Sequence, residues 1–220
     1  MQLFNATMPL TEQTSIKNWE NTWQSTDYKK KLILGLIIIS IILTSLPFFF
    51  QAIETRNGIL INDYILREIP SYDMSLYIFT IIWGMALLTF SRFKTDPQLF
   101  LTFLWGYILI NLTRFISIGL FPLSAPIGLI DITDPISNAF YGPKRVTKDL
   151  FYSGHTAAMF LMFLCLNKKL DKILALLSTI AIAVLLLIQH VHYTADVLFA
   201  PVITYLIWLA SKKIVASKNI

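Results

Sequence analysis

An all-α polytopic membrane bundle of six helices, with short cytoplasmic loops and two longer outer loops, is the fold class that three features of this sequence predict. Of its 220 residues 55% are hydrophobic and only 14% charged, a balance that a soluble domain of this size seldom shows. The apolar residues gather into six runs, each close to the roughly 20 residues that a helix needs to cross a bilayer. Lysine and arginine, which accumulate in short cytoplasmic segments, are unevenly shared between the two sets of connecting segments.

The runs cover residues 32–50, 74–90, 99–118, 150–166, 173–188 and 193–210, each bounded by charges, prolines or polar clusters. With both termini inside, the cytoplasmic segments hold twelve basic residues: Lys17, Lys29, Lys30, Lys31, Arg92, Lys94, Lys168, Lys169, Lys172, Lys212, Lys213 and Lys218. The outer segments hold five, Arg56, Arg67, Lys144, Arg145 and Lys148, and Arg114 falls inside the third run. The organisation expected is a cytoplasmic tail over 1–30, one membrane domain over 31–212 and a second tail over 213–220. The first run begins about thirty residues in and is long enough to span, so it reads as a retained anchor and not a cleaved signal. Ile16, Trp19 and Trp23 in the first tail can share one helical face on the inner leaflet; a loosely ordered tail is the alternative. The two outer loops, 51–73 and 121–148, are long enough to house a function, whereas the inner loops are short.

The formal charge of +5 is spread over short segments without an aromatic-interleaved basic patch, which excludes nucleic acid as a partner. Cys165 is the single cysteine, so neither an internal disulfide nor a cysteine-rich metal site can form.

The three histidines, His155, His190 and His192, all fall near the outer ends of the last three runs. Ionisable residues are costly near hydrocarbon, so such a cluster is expected to face a polar cavity and to serve a function. His155 follows Ser153 and Gly154 at a helix start, where free amides and the helix dipole favour an anion. Ser153 can cap that helix and Gly154 lets a ligand approach the backbone. His192 and Asp196 are four residues apart, so the carboxylate can reach back to the imidazole and leave its other nitrogen more nucleophilic. Arg114, a turn below the outer end of its helix, can reach a phosphoryl group bidentately, or snorkel to lipid headgroups. His190 precedes His192 by two residues and points elsewhere on a continuous helix, which suits a packing or hydrogen-bonding role.

The stretch Ser153-Gly154-His155-Thr156, followed by His190-Val191-His192-Tyr193-Thr194-Ala195-Asp196-Val197, resembles the sphingomyelin synthase family of the phosphatidic acid phosphatase type 2 superfamily. The likeness extends to Asp149 and to Arg114, Ser117, Leu123 and Pro126, covering roughly residues 114–208. It implies that His192 is the nucleophile forming a phosphohistidine, Asp196 its orienter and His155 the acid that protonates the leaving oxygen and then activates the acceptor. It also implies a metal-independent reaction without cofactors. Arg114 is the first choice among cations for the phosphate, joined by Ser153, Gly154 and Lys148, with Lys144 and Arg145 in reserve. The wider superfamily's Lys-x6-Arg-Pro segment is absent, and Leu185 and Leu186 stand where a Ser-Arg pair would precede the nucleophile; both departures are shared with sphingomyelin synthases. Arg56, Gly58, Asp63, Leu66, Pro70 and Asp73 form an outer segment that could close over the site.

The resemblance thus implies an enzyme moving phosphate or a phosphorylated headgroup between membrane lipids, or to water; a compact chain rich in isoleucine and lysine suggests a bacterial inner membrane, with the site on the extracytoplasmic face. Two other readings remain: a metal site or transporter built from His155, His190, His192 and Asp196, and a non-catalytic membrane scaffold. Headgroup, lipid backbone and oligomeric state are not set by spacing.

Overall fold

A computed structural model describes residues 19–132 and 146–217. Eight helices form among them: α1 (Trp19–Trp23), α2 (Thr26–Glu54), α3 (Tyr64–Arg67), α4 (Ser75–Phe93), α5 (Pro97–Leu120), α6 (Gly154–Cys165), α7 (Lys169–Ile188) and α8 (Thr194–Ala216). The only extended pairing among the described residues is a single parallel bridge between Ile59 and Leu123. The all-helical membrane bundle read from the sequence is therefore the observed architecture. Residues Lys144, Arg145, Ile16, Lys17 and Lys218, to which the sequence reading assigned places, lie outside the described residues.

Local sequence sets the helix starts. Ser25 caps α2 by accepting from the Tyr28 amide (3.3 Å), and Asp96 caps α5 by accepting from Leu99 (2.9 Å), with Pro97 next to it at the first turn. Proline there loses nothing, because its missing N–H would have had no helical partner. α1 is a short piece docked on the bundle: Trp19 Nε1 donates to the Phe93 carbonyl (2.9 Å) and its ring packs edge-on to Tyr28.

Five helices, α2, α4, α5, α7 and α8, are long and apolar enough to cross a membrane. The fourth run is a correction to the sequence reading: only its 12 residues Gly154–Cys165 are helical, about 18 Å of rise against a hydrocarbon core of about 30 Å. Ser153 caps the helix late, and Phe151, with φ +59°, breaks the chain direction just ahead of it. α6 is nonetheless the centre of the bundle, in contact with α4, α5, α7 and α8, while α2 packs on the far side of α5. Ala157 and Leu161 of α6 are fully buried among Ile110, Ile182, Leu186 and Ala200. The outward faces stay apolar, with Phe48, Leu76, Leu87 and Leu198 exposed, which is how a bundle solvated by lipid presents itself.

The two ends of the bundle differ. At the lysine-rich end the connections are three residues long between α4 and α5 and between α6 and α7. There the buried Lys31 ammonium donates to Asp27 Oδ2 (2.7 Å), to the Val215 carbonyl (3.1 Å) and to that of Ser217. That ties α2 to the carboxy-terminal end of α8, where a cation is favoured. Arg92 and Asp171 join α4 to α7 through a two-pronged pair (2.6 and 3.2 Å). The long connections and the three histidines occupy the other end.

Candidate active site

α5 carries Ile110, Thr113, Arg114 and Ser117 at spacings of three and four, hence on one face, and this face grips the segment that leads into α6. The Tyr152 hydroxyl donates to the Ile110 carbonyl (3.1 Å) and lies 2.7 Å from Thr113 Oγ1. Ser117 Oγ donates to the Phe151 carbonyl (2.7 Å), and Arg114 Nη2 pairs with Asp149. A side chain on Gly154 would put its first carbon 2.5 Å from Arg114 Cζ and 3.0 Å from Nε. Only glycine lets the guanidinium lie flat against the start of α6, so the close approach read for a ligand is made by Arg114 itself.

Ser153 performs the capping expected of it: Oγ accepts from the Thr156 amide (3.3 Å) and lies 3.1 Å from the Thr156 hydroxyl. Its own amide donates to the Asp196 carbonyl (3.1 Å). That bond ties the starts of α6 and α8 side by side, with His155 in the first turn of one and Asp196 in the first turn of the other.

His192 is buried on the turn ahead of α8, which begins at Thr194. Its Nδ1 lies 3.4 Å from Asp196 Oδ2, and the same oxygen accepts from the Tyr193 amide (3.2 Å). The spacing therefore works through an end-capping carboxylate that reaches back past the helix start, not through two residues of one regular turn. Asp196 Oδ1 and Arg114 Nε are buried without a partner among the described residues. Such atoms are costly in isolation; others of the kind, Arg56 Nε and Trp105 Nε1 among them, lie elsewhere in the described residues.

The turn that carries His192 is held from outside the bundle. The Tyr193 hydroxyl donates to the Ser124 carbonyl (2.9 Å) and accepts from the Ile61 amide (3.2 Å). Asp63 accepts from the Thr194 amide (2.6 Å) and hydroxyl (3.0 Å), and it also caps α3 through Ile65 and Leu66. Burial works against this carboxylate, but the donors from Leu66, Thr194 and Ile65 hold it below the usual carboxylate range. Gln189, fully buried, accepts from the Met74 amide (3.1 Å) and donates to Ser75 Oγ (2.9 Å) and to the carbonyls of Ile130 and Asp131. His190 bonds two backbone carbonyls, Ile127 O (2.7 Å) and Ile69 O (2.8 Å), the hydrogen-bonding role that the sequence suggested.

Of the outer segment, Asp63 and Asp73 engage the histidine-bearing turn, whereas Arg56 donates to the carbonyls of Ile118 and Gly119 at the end of α5. Lys148 Nζ donates to the carbonyls of Glu54 (2.8 Å) and Arg56, so its charge is spent on the end of α2. Sequence reasoning missed Gln189 and Thr194, whose partners lie more than 50 residues away and leave no local signal.

No three His, Cys, Asp or Glu side chains converge as metal ligands among the described residues, and both ring nitrogens of His190 are taken by carbonyls. No curated protein matches the chain. Residues 148–213, which hold Ser153, Gly154, His155, His192 and Asp196, match the family model described as PAP2 superfamily C-terminal, and this match supports the PAP2 superfamily, whose members are phosphatases and phosphotransferases.

Proposed function

We propose that the protein is an integral membrane phosphotransferase or phosphatase of lipids, sphingomyelin synthase-like, that works through a phosphohistidine. The observation that carries this reading is the bond from Ser153 N to Asp196 O (3.1 Å). It sets the His155 turn against the His192–Asp196 pair, with Arg114 packed on Gly154 beside them. His192 attacks phosphorus with the ring nitrogen turned away from Asp196; an N–P bond forms as the P–O bond to the leaving group breaks. His155 gives its proton to the departing oxygen, then takes one from the acceptor, lipid alcohol or water, as that oxygen displaces the imidazole. Arg114, anchored by Asp149 on one arm, offers its remaining donors to the phosphoryl oxygens at a helix start that itself favours anions.

α6 has 12 residues against 20 in α7, and its start is tied to the first turn of α8 at the histidine-bearing end of the bundle, where a lipid headgroup would be met. The lysine distribution supports a site on the extracytoplasmic face, and we place the protein in a bacterial inner membrane.

The purified protein, incubated with lipid carrying labelled phosphate, is expected to retain acid-labile label on the chain and to release free phosphate or a new phospholipid. Label that persists in His192→Ala, or that never forms on the wild type despite turnover, rejects the mechanism. The partition between free phosphate and phospholipid distinguishes hydrolase from transferase.

A further inference from the structure

Among the described residues, His190 lies between two hydrogen-bond acceptors and no donor. Its Nδ1 is 2.7 Å from the Ile127 carbonyl and its Nε2 2.8 Å from the Ile69 carbonyl. A neutral imidazole has one N–H and one lone pair, so it can satisfy only one of these oxygens and must turn a lone pair on the other; an imidazolium satisfies both. The residue is buried and its backbone is left-handed, at φ +54°, a conformation that the surroundings must hold. The Ile127 side is shaped for it. Gly128 has φ +83°, and a first side-chain carbon there would sit 2.9 Å from His190 Nδ1.

The charged side chains on the segments around His190 are otherwise engaged. Arg67 and Glu68, on the Ile69 side, pair with each other and are exposed. Asp73 accepts from the Ser75 amide (3.0 Å) and from Gln189. Asp131 is on the Ile127 side and His192 on the same turn; neither contributes an ion pair to His190 among the described residues.

We propose that His190 is a positioning residue which, with protons on both ring nitrogens, rivets the two long connections to the turn carrying His192, so that full turnover, though not turnover itself, depends on a proton the phosphoryl transfer does not consume. The effect on turnover rests on the reading of His192 as nucleophile; the protonation state does not.

The test is nitrogen NMR of histidine-labelled full-length protein in lipid nanodiscs, followed against pH beside turnover of a labelled lipid phosphate. The His190 signals are assigned by their loss in His190→Asn. Both His190 nitrogens are expected to be protonated wherever the protein is fully active, and activity is expected to fall as the second proton leaves. One protonated and one bare nitrogen at the pH of full activity overturns the proposal, whatever the lipid assay gives. Gly128→Ala probes the same contact from the other side: about a tenfold loss of turnover and disappearance of the alkaline step are expected. Wild-type turnover and pH profile in that variant would count against the rivet. Absence of lipid turnover in the wild type, with the doubly protonated signals present, removes the functional reading and leaves the protonated state standing.

Discussion

Two arginine–aspartate pairs hold opposite ends of this bundle and are built differently. Arg92 meets Asp171 with Nε and Nη2 on two separate oxygens, a closed fork that leaves the carboxylate satisfied. Arg114 meets Asp149 with Nη2, keeps a buried Nε without a partner among the described residues and lies flat on Gly154. A closed fork is a clasp between α4 and α7. A one-armed fork at a helix start, next to a buried histidine–aspartate pair, keeps the donors that the proposed function assigns to the phosphoryl oxygens. On that proposal, the difference separates charge that holds the fold from charge used in the chemistry.

The largest effects are expected at the two histidines to which the proposed mechanism gives attack and proton transfer. His192→Ala and His155→Ala should each lower turnover of a lipid phosphate by at least about 10³-fold, whereas His190→Ala should keep measurable turnover; equal rates in all three would end the assignment. The arginines come next. Arg114→Lys keeps the charge but loses the planar fork, so a loss of about 10²-fold is expected, while Arg92→Lys should stay within about twofold and lower only the melting temperature. A comparable kinetic loss at Arg92 would erase the contrast. Gly154→Ala drives a methyl group into the Arg114 guanidinium, and a loss of about tenfold in kcat with the fold intact by circular dichroism is the expected reading.

The smallest effect concerns the outer segment. Asp63 has its carboxyl held below the ordinary value of about 3.9, so its contribution is complete above that value and is lost as pH falls through the lower folded one. Protection of residues 59–66 against hydrogen exchange, measured relative to the rate of an unstructured chain at the same pH, should stay constant from neutral pH to about 5 and fall only below about 4. Asp63→Asn should show faster exchange already at neutral pH, and an unchanged rate would mean that Asp63 does not hold the segment.

Much of this molecule was legible in its sequence, and the gaps have physical causes. The runs of about 20 apolar residues identified five spans because crossing hydrocarbon imposes a length. The fourth run differs because only Gly154–Cys165 of it is helical: residues 150–153 are held in irregular backbone by their bonds to α5 and α8, which no hydropathy pattern announces. His192 and Asp196 were paired from their spacing, since a carboxylate at the third position of a helix reaches back to the residues ahead of it. Lys148, read as a phosphate ligand, has its ammonium on the carbonyls of Glu54 and Arg56, and no pattern within a few residues of it announces those partners.

By itself the sequence determined the membrane-spanning helices, the end of the bundle at which the histidines gather and the short-range His192–Asp196 pair at the start of α8, because each follows from hydropathy or from a spacing of a few residues. Only the tertiary structure decided that the start of α6 is tied to the start of α8, that Arg114 lies on Gly154, and that Asp63, Gln189 and His190 fasten distant connections to the His192 turn. Those contacts join residues up to 131 positions apart. Hydrogen bonding at that range is settled by how helices pack, which local residue patterns do not encode.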